Sequence, residues 1–349
     1  ENLEDYGVQA PAFTRICRAE NVTLPDGTYP VTVEEAVGVM QAKHALDASS
    51  ELSGSNGLDG SNSADDAVKR SMEMFRIEHL DFSYLENVPI LKDLNLHLDG
   101  RPTAIIGQNG AGKTTLVKLL KGLLKPVSGN IYFRGEDMAG KTVAMLAGNV
   151  GYVFQNPDDQ LFSASVYQDI SFGAVNMGLP KEEVQRRVEA VMERIGITDL
   201  RERPTHSLSF GQKKRVAFAG IMVMEPEVLI LDEPTAGLDP MGVSELMHLL
   251  QEVCREQHTT IVLSTHDIDV VPVYADHIFV MDSGRVIADG TPDEIFAQPE
   301  LLRQHHLRLP RISHLLEILG KQDGLDTDCS AATISAARRQ IRHLIKEEN

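Results

Sequence analysis

Thr103-Ala-Ile-Ile-Gly-Gln-Asn-Gly-Ala-Gly-Lys-Thr-Thr115 is the stretch on which the reading of this chain turns. A short apolar run, Ala104-Ile105-Ile106, feeds a glycine-rich turn, and Leu116-Val117-Lys118-Leu119-Leu120 continues beyond it as a helix would. Gly107, four intervening residues, Gly112, Lys113 and Thr114 fit a phosphate-binding loop set between a buried strand and a helix. Glycines without a Cβ let the backbone wrap closely around an anion. Asn109, Gly110, Ala111 and Gly112 can then turn backbone N–H groups toward phosphates, where the start of the helix adds partial positive charge. Lys113 contributes a full charge near the terminal phosphates, and the Thr114 hydroxyl can ligate Mg²⁺. A chance glycine-rich turn lacks the strand before and the helix after.

The 349 residues suffice for two domains, or for one large α/β domain with appendages. With 42% hydrophobic and 24% charged residues, the composition is that of an ordinary globular protein. A formal net charge of -18 argues against broad nucleic-acid binding, which requires clustered Lys and Arg. Cys17, Cys254 and Cys329 lie far apart, match no zinc or redox spacing, and read as packing residues of a reducing compartment. The sequence holds no run of about 18 apolar residues and no signal-peptide pattern, so any membrane role must run through a partner.

The segment 1–46 carries no motif of its own but echoes a later one. Val8-Gln-Ala-Pro11-Ala-Phe-Thr14-Arg-Ile16 aligns with Leu307-Arg-Leu-Pro310-Arg-Ile-Ser313-His-Leu315. Thr32-Val-Glu-Glu-Ala36 then aligns with Thr333-Ile-Ser-Ala-Ala337, with two extra residues between the blocks. The repeat predicts that 1–46 is the tail of a preceding unit, which makes this chain the later half of a tandem polypeptide. Residues 47–70 form a Ser/Gly/Asn/Asp-rich linker.

Beyond the linker, Met74 to Tyr84 and Leu91 to Leu98 alternate as two antiparallel strands. The loop helix is expected at 113–123, a further strand and turn at 129–135, and helices through 164–205. Val184, Val188, Val191, Met192 and Ile195 recur there at helical spacing. Ser209 is placed to N-cap another helix. Buried parallel-type strands run from Glu227 into Asp232-Glu233-Pro234 and from Thr259 into His266. His277 to Asp282 and Gly284 to Gly290 form a hairpin-like pair, and 292–349 reads as helices with a loop near Gly320 to Cys329.

Parallel α/β sheets place their ligands at strand ends, and several strands here end in polar residues. Asp232, after four apolar residues, fits a Mg²⁺-holding role, and Glu233 beside it can orient or activate a water for attack on a terminal phosphate. As an isolated pair they could be solvated carboxylates at a turn, and His266 or Gln155 alone would be ordinary hydrogen-bonding residues. Their value comes from standing in one chain, in order, with the phosphate loop.

That set resembles the nucleotide-binding domain of ABC (ATP-binding cassette) ATPases over about residues 74–295. Gly107 to Thr115 matches Walker A, Gln155 the Q-loop, Leu208-Ser-Phe-Gly-Gln212 the signature, Ile230-Leu-Asp-Glu-Pro Walker B, Ala236-Gly-Leu-Asp239 the D-loop and His266 the switch histidine. Tyr84 stands where the family stacks an aromatic on adenine. Phe210 replaces a glycine usual in the signature, while Ser209 and Gly211 are kept. The resemblance implies an α/β, P-loop NTPase fold: an ABC domain over 71–295 with an antiparallel β subdomain, a helical subdomain at about 156–220, and a C-terminal helical extension, 296–349.

It also implies two cassettes pairing head to tail, with ATP on the Walker A of one and under the signature of the other. Glu233, His266 and Gln155 would be catalytic. Tyr84, Asn109, Gly110, Ala111, Gly112, Lys113, Thr114, Thr115, Ser209, Gly211, Gln212 and Asp239 would bind nucleotide, and Thr114, Gln155 and Asp232 would hold Mg²⁺. Asn156-Pro-Asp-Asp-Gln160-Leu-Phe, Asp169-Ile-Ser-Phe-Gly173 and Gln212-Lys-Lys-Arg-Val-Ala look like the ATPases of energy-coupling factor importers of metal ions and B vitamins. The expected partners are a second cassette and integral membrane subunits, with no nucleic acid, at the cytoplasmic face of the membrane. A soluble ABC ATPase acting on ribosomes or DNA, a low-turnover assembly module and a P-loop small-molecule kinase are the alternatives. The acidic balance, Glu233, and the signature with its D-loop respectively weigh against them.

Overall fold

The computed structural model describes residues 73–323 except 87, residues 327 and 329–347, and scattered positions between 14 and 36. The chain divides into two compact units, one of residues 65–267 and 274–289, the other of residues 1–64, 268–273 and 290–349. The expected linker at 47–70 lies outside the described residues.

In the larger unit, β1 (Glu73–Ser83) and β2 (Pro89–Asp99) pair antiparallel. Their alternation buries Phe75, Ile77, Leu80 and Phe82 of one strand and Leu91, Leu94, Leu96 and Leu98 of the other on a common face. β4 (Ser128–Phe133) takes the free edge of β1 and carries the two-residue β5 (Glu136–Asp137), giving the order β2-β1-β4-β5.

The second sheet is built from β3 (Thr103–Gly107), β6 (Val150–Val153), β7 (Val228–Asp232), β8 (Thr260–Thr265), β9 (His277–Asp282) and β10 (Arg285–Gly290), in the order β10-β9-β3-β8-β7-β6. The pairs β9-β3, β3-β8, β8-β7 and β7-β6 are parallel. Every residue of β3, β6, β7 and β8 is buried, which is why each of these strands reads as a mainly apolar run without alternation. Register sets the site: Ile106 pairs with Thr265, and Ser264 with Asp232, so the phosphate loop, Asp232-Glu233 and His266 leave the sheet along one edge.

α1 (Lys113–Leu120) starts at the loop and stops short of the expected residue 123. Gly122, with φ 77°, ends it, a stop signal readable in the sequence. The helical layer comprises α2 (Val166–Asn176), α3 (Lys181–Ile195) and α4 (Phe210–Met222). All five apolar positions expected for α3 are buried. α5 (Pro240–Glu256) follows β7, N-capped by Asp239.

The smaller unit contains α6 (Pro292–Phe296), α7 (Pro299–Gln304), α8 (Arg311–Asp323) and α9 (Ile334–Glu347). α8 runs through Gly320 to Asp323, where the sequence suggested a loop; a glycine inside a helix costs only about 1 kcal/mol, which packing offsets. Ile312, Leu315, Leu316, Leu319, Ala331 and Ala337 form its core together with Cys17 and Ala36. Arg303 and Lys321 donate to Glu317 and hold its carboxyl far below its ordinary range, at about 2. Among the described residues no helix is long and apolar enough to cross a membrane.

Candidate active site

The phosphate loop is shaped by what surrounds it. Gly112 takes φ 101°, and a Cβ on Gly107 would stand 2.4 Å from the Met281 carbonyl oxygen, so neither position tolerates a side chain without movement. Lys113 is buried and turns back on the loop, its Nζ donating to the carbonyls of Gly107 (2.9 Å) and Gln108 (3.2 Å) and lying 3.5 Å from Glu233 Oε1. Asn109 and Gly110 are exposed, and Ala111, Gly112 and Thr115 are buried.

Asp232 is buried at the end of β7 and collects three hydroxyls. Thr114 (3.0 Å) and Ser264 (2.8 Å) donate to Oδ1, and Tyr152 (2.9 Å) donates to Oδ2. The carboxylate is thereby tied to the phosphate loop, to β8 and to β6 at once. The sequence marked Asp232 and Thr114; Tyr152 and Ser264 are additions. Their signal was a polar side chain beside apolar ones, Tyr152 within Val150-Gly-Tyr-Val and Ser264 directly after Ile261-Val-Leu. Burial and the adjacent Asp232 charge push the Tyr152 phenol well above its ordinary range, so it remains a donor.

Glu233 adopts a left-handed backbone, φ 48°, directly before Pro234. Such a conformation costs about 1–3 kcal/mol in a non-glycine residue and persists only where the surroundings enforce it. Its N–H donates to the Ser264 carbonyl at 2.8 Å, and its own carbonyl accepts from Ala236 N at 3.2 Å. The turn aims a carboxylate that is only 4% exposed at His266: Oε2 lies 2.8 Å from His266 Nδ1 and 3.3 Å from the His266 backbone nitrogen. Against an ionised Glu233, Nδ1 is the donor, which leaves Nε2 facing outward. Lys113, Thr114, Asp232, Glu233 and His266 are thus brought together as one connected group.

The remaining expected residues lie around it. The Tyr84 hydroxyl is 3.3 Å from Thr115 Oγ1, with its ring more than half exposed and edge-on to Phe82. Gln155 is exposed just past β6, and among the described residues no hydrogen bond ties it to Asp232 or Glu233. Ser209 Oγ accepts from Gln212 N (3.3 Å) while Gln212 Oε1 accepts from Ser209 N (3.0 Å), a complete capping box that fixes the start of α4 with Gly211 between them. Asp239 Oδ1 accepts from Gly242 N at 2.7 Å. Ser209, Gly211, Gln212 and Asp239 are engaged in their own helix caps and not in the Lys113–Glu233 group.

Chemically the group can hold a polyphosphate on the loop and Lys113, and keep a carboxylate ready for a water. Among the described residues no set of three or more His, Cys, Asp or Glu could enclose a metal ion. Thr114 and Asp232 instead offer two hard oxygens 3.0 Å apart, which suits Mg²⁺, an ion that shares its coordination with waters and substrate phosphates.

Residues 91–236 match the ABC transporter family. The chain is 54% identical over 271 residues to energy-coupling factor transporter ATP-binding protein EcfA3 of Clostridium perfringens, covering 77% of this chain and 95% of that protein. It is 44% identical over 280 residues to EcfA of Methanocaldococcus jannaschii, covering 79% of this chain and all of that protein. Among solved structures it is similar to cbiO1 of Clostridium perfringens, described as part of the ABC transporter complex cbiONQ, at a TM-score of 0.62 and 54% identity, over 71% of this chain and the whole of that one. A nucleotide-free cassette from an ABC transporter aligns at a TM-score of 0.55 and 27% identity, over 63% of this chain and 92% of that one. The chain belongs to the ATP-binding proteins of ABC transporters, in the group that includes the energy-coupling factor transporter ATPases, and hydrolyses ATP as that family does.

Proposed function

We propose that this ATPase energises a membrane importer of the energy-coupling factor type, for a metal ion or vitamin, from the cytoplasmic face of the membrane. The observation that carries the membrane contact is an exposed apolar patch beside the Q-loop. Phe162, Phe172, Val175 and Met177 are all exposed there, with the rings of Phe162 and Phe172 edge-to-face at 4.7 Å and Met177 beside Gly148. Exposed aromatics in contact with one another mark an interaction surface more often than a solvated one.

The polar residues of the same segment hold it rigid. Asn156 caps the 157–159 turn, Gln160 bridges Phe154 N and the Ala217 carbonyl, and Asp169 Oδ2 accepts from the backbone of Phe162 and Ser163. Such a platform suits an amphipathic helix of a membrane subunit. The test is rebinding to the source organism's membranes after urea stripping. Wild type should sediment with them, and Phe162→Asp/Phe172→Asp should stay in the supernatant with ATP binding intact. Equal sedimentation of the two, or wild type sedimenting with ribosomes instead, would remove the reading.

In the reaction, Lys113 would exchange its loop carbonyls for β- and γ-phosphate oxygens, and the loop N–H groups would hold the remaining charge. Thr114 and Asp232 would hold Mg²⁺, which when bound neutralises phosphate charge and, in the sequence reading, also meets Gln155. Glu233 would accept a proton from the attacking water, with His266 fixing its carboxylate and facing the γ-phosphate. Tyr84 would stack on adenine. Ser209, Gly211, Gln212 and Asp239 would serve a nucleotide held by a second cassette, since all four lie outside this chain's own Lys113–Glu233 group.

Residues 1–46 fit the tail of such a preceding cassette. Positions matched by the repeat, Thr14 with Ser313 and Ala36 with Ala337, are all buried, and Cys17, next after the first block, shares one apolar cluster with Ala36, Leu316 and Ala337. A protease site placed at 52–60 tests this. After cleavage the N-terminal fragment should co-elute with the rest on gel filtration; its elution alone would sink the assignment.

A further inference from the structure

Phe210, the departure from the usual signature sequence, has a defined seat. A Cβ on Gly237 would meet its ring at 2.8 Å, and Gly237 has φ 77°, so the D-loop glycine provides the space the ring fills. One turn along α4, Lys214 is only 4% exposed, with its Nζ 5.4 Å from the centroid of the same ring. That ammonium donates at 2.5 Å to the carbonyl oxygen of Pro234, the residue after Glu233.

Burying an ammonium is costly, and a methionine or leucine would fill the space without that cost. The position of the charge gives it a purpose. The Glu233–Ala236 turn begins with a left-handed residue and continues with a proline that has no N–H, so its geometry depends on anchors from outside. β8 supplies one, through the Ser264 carbonyl, and the signature helix supplies another, through Lys214. Burial lowers the Lys214 amine to about 8, while the nearby Glu233 charge opposes that shift.

We propose that Lys214 is a positioning residue for the catalytic Glu233, and that Phe210, packed on Gly237, ties the D-loop to the same lever. A displacement of α4, whose N-terminus carries Ser209 and Gly211 toward the other cassette's nucleotide, then reaches the Glu233 turn through a single hydrogen bond. The carboxylate is aligned as the signature docks.

The test compares Lys214→Met, which keeps the volume, with Lys214→Gln, which keeps a donor, in the full chain paired with its cassette partner. With Lys214→Met, kcat should fall about tenfold or more, the scale of a charge-assisted hydrogen bond, while KM and the Kd for ATP stay within about twofold. Lys214→Gln should recover most of that kcat. Unchanged kcat in a folded Lys214→Met protein, or equal losses in both variants with KM moving in parallel, would overturn the proposal. Should Lys214→Met fail to fold, Phe210→Leu decides. It removes the ring from Gly237 and Lys214, and should lower kcat about threefold at constant KM; an unchanged kcat would count against the lever.

Discussion

Replacing Glu233 with glutamine is expected to lower ATP turnover about 10²–10⁴-fold, the contribution of one well-placed acid–base group, while ATP binding survives. The geometry argues for both halves of that outcome. Glutamine keeps the shape of the side chain and one carbonyl oxygen, so the backbone turn at φ 48°, held by Ser264 and Ala236, is retained. The affinity elements, Lys113 and the loop N–H groups between β3 and α1, stay in place: Lys113 loses the charge of a carboxylate 3.5 Å away but keeps its bonds to the Gly107 and Gln108 carbonyls. What disappears is the group proposed to take a proton and the carboxylate partner of His266 Nδ1 at 2.8 Å. Phosphate release under saturating ATP, alongside filter retention of labelled ATP, measures the two separately. Turnover within about tenfold of wild type would mean that another residue serves the water. The paired cassette is expected to remain closed on ATP, because closure is driven by binding and released by hydrolysis.

Much of this site was legible in the sequence because its parts are local. A phosphate loop needs its glycines, lysine and threonine within a few positions, and a strand that ends in two carboxylates announces itself in six residues. The order of elements followed from continuous apolar runs, and the amphipathic stripe of α3 from its period. The supports were harder to read because they cross the fold. Tyr152 reaches Asp232 from 80 positions away and Ser264 from 32, and only the strand order β8-β7-β6 makes them neighbours. Lys214 entered the sequence reading only inside Gln212-Lys-Lys-Arg-Val-Ala, a segment noted for its family resemblance, with nothing there to mark it as buried. Its burial is fixed by the packing of α4 against the turn after β7, which no local pattern reports. Ser209 was read correctly as an N-cap, and the partner Gln212 supplies the reciprocal bond that the sequence spacing allows. The helix ends diverged for simple reasons: Gly122 in a left-handed conformation closed α1 early, and Gly320 in an ordinary helical position let α8 run on.

Lys113→Ala should give the complementary phenotype, loss of nucleotide affinity together with loss of rate. The ammonium is 5% exposed and balanced between two loop carbonyls and Glu233 Oε1 at 3.5 Å. In that setting a bound triphosphate does not need to order a flexible lysine, since the side chain already lies along the loop and changes partners over a short distance. Each charge-assisted bond to a phosphate oxygen contributes about 1.5–3 kcal/mol, so Kd for ATP should rise by about 10–10²-fold. On the proposed reading the same charge would face the γ-phosphate as negative charge redistributes, and removal of one such donor costs about 10²–10³-fold in kcat. The combined fall in kcat/KM is then about 10³–10⁵-fold, a size that neither a local packing defect nor a lost cap produces. Alanine also leaves the buried Glu233 carboxylate without the cation that lies 3.5 Å from its Oε1. Lys113→Arg separates charge from fit: it restores the cation, but its planar fork matches the closely wrapped loop poorly, and it should recover affinity only in part. Isothermal titration with ATP and Mg²⁺, set beside steady-state kinetics, distinguishes these outcomes. An alanine variant that binds ATP within about threefold of wild type would place the phosphates elsewhere than on residues 107–115.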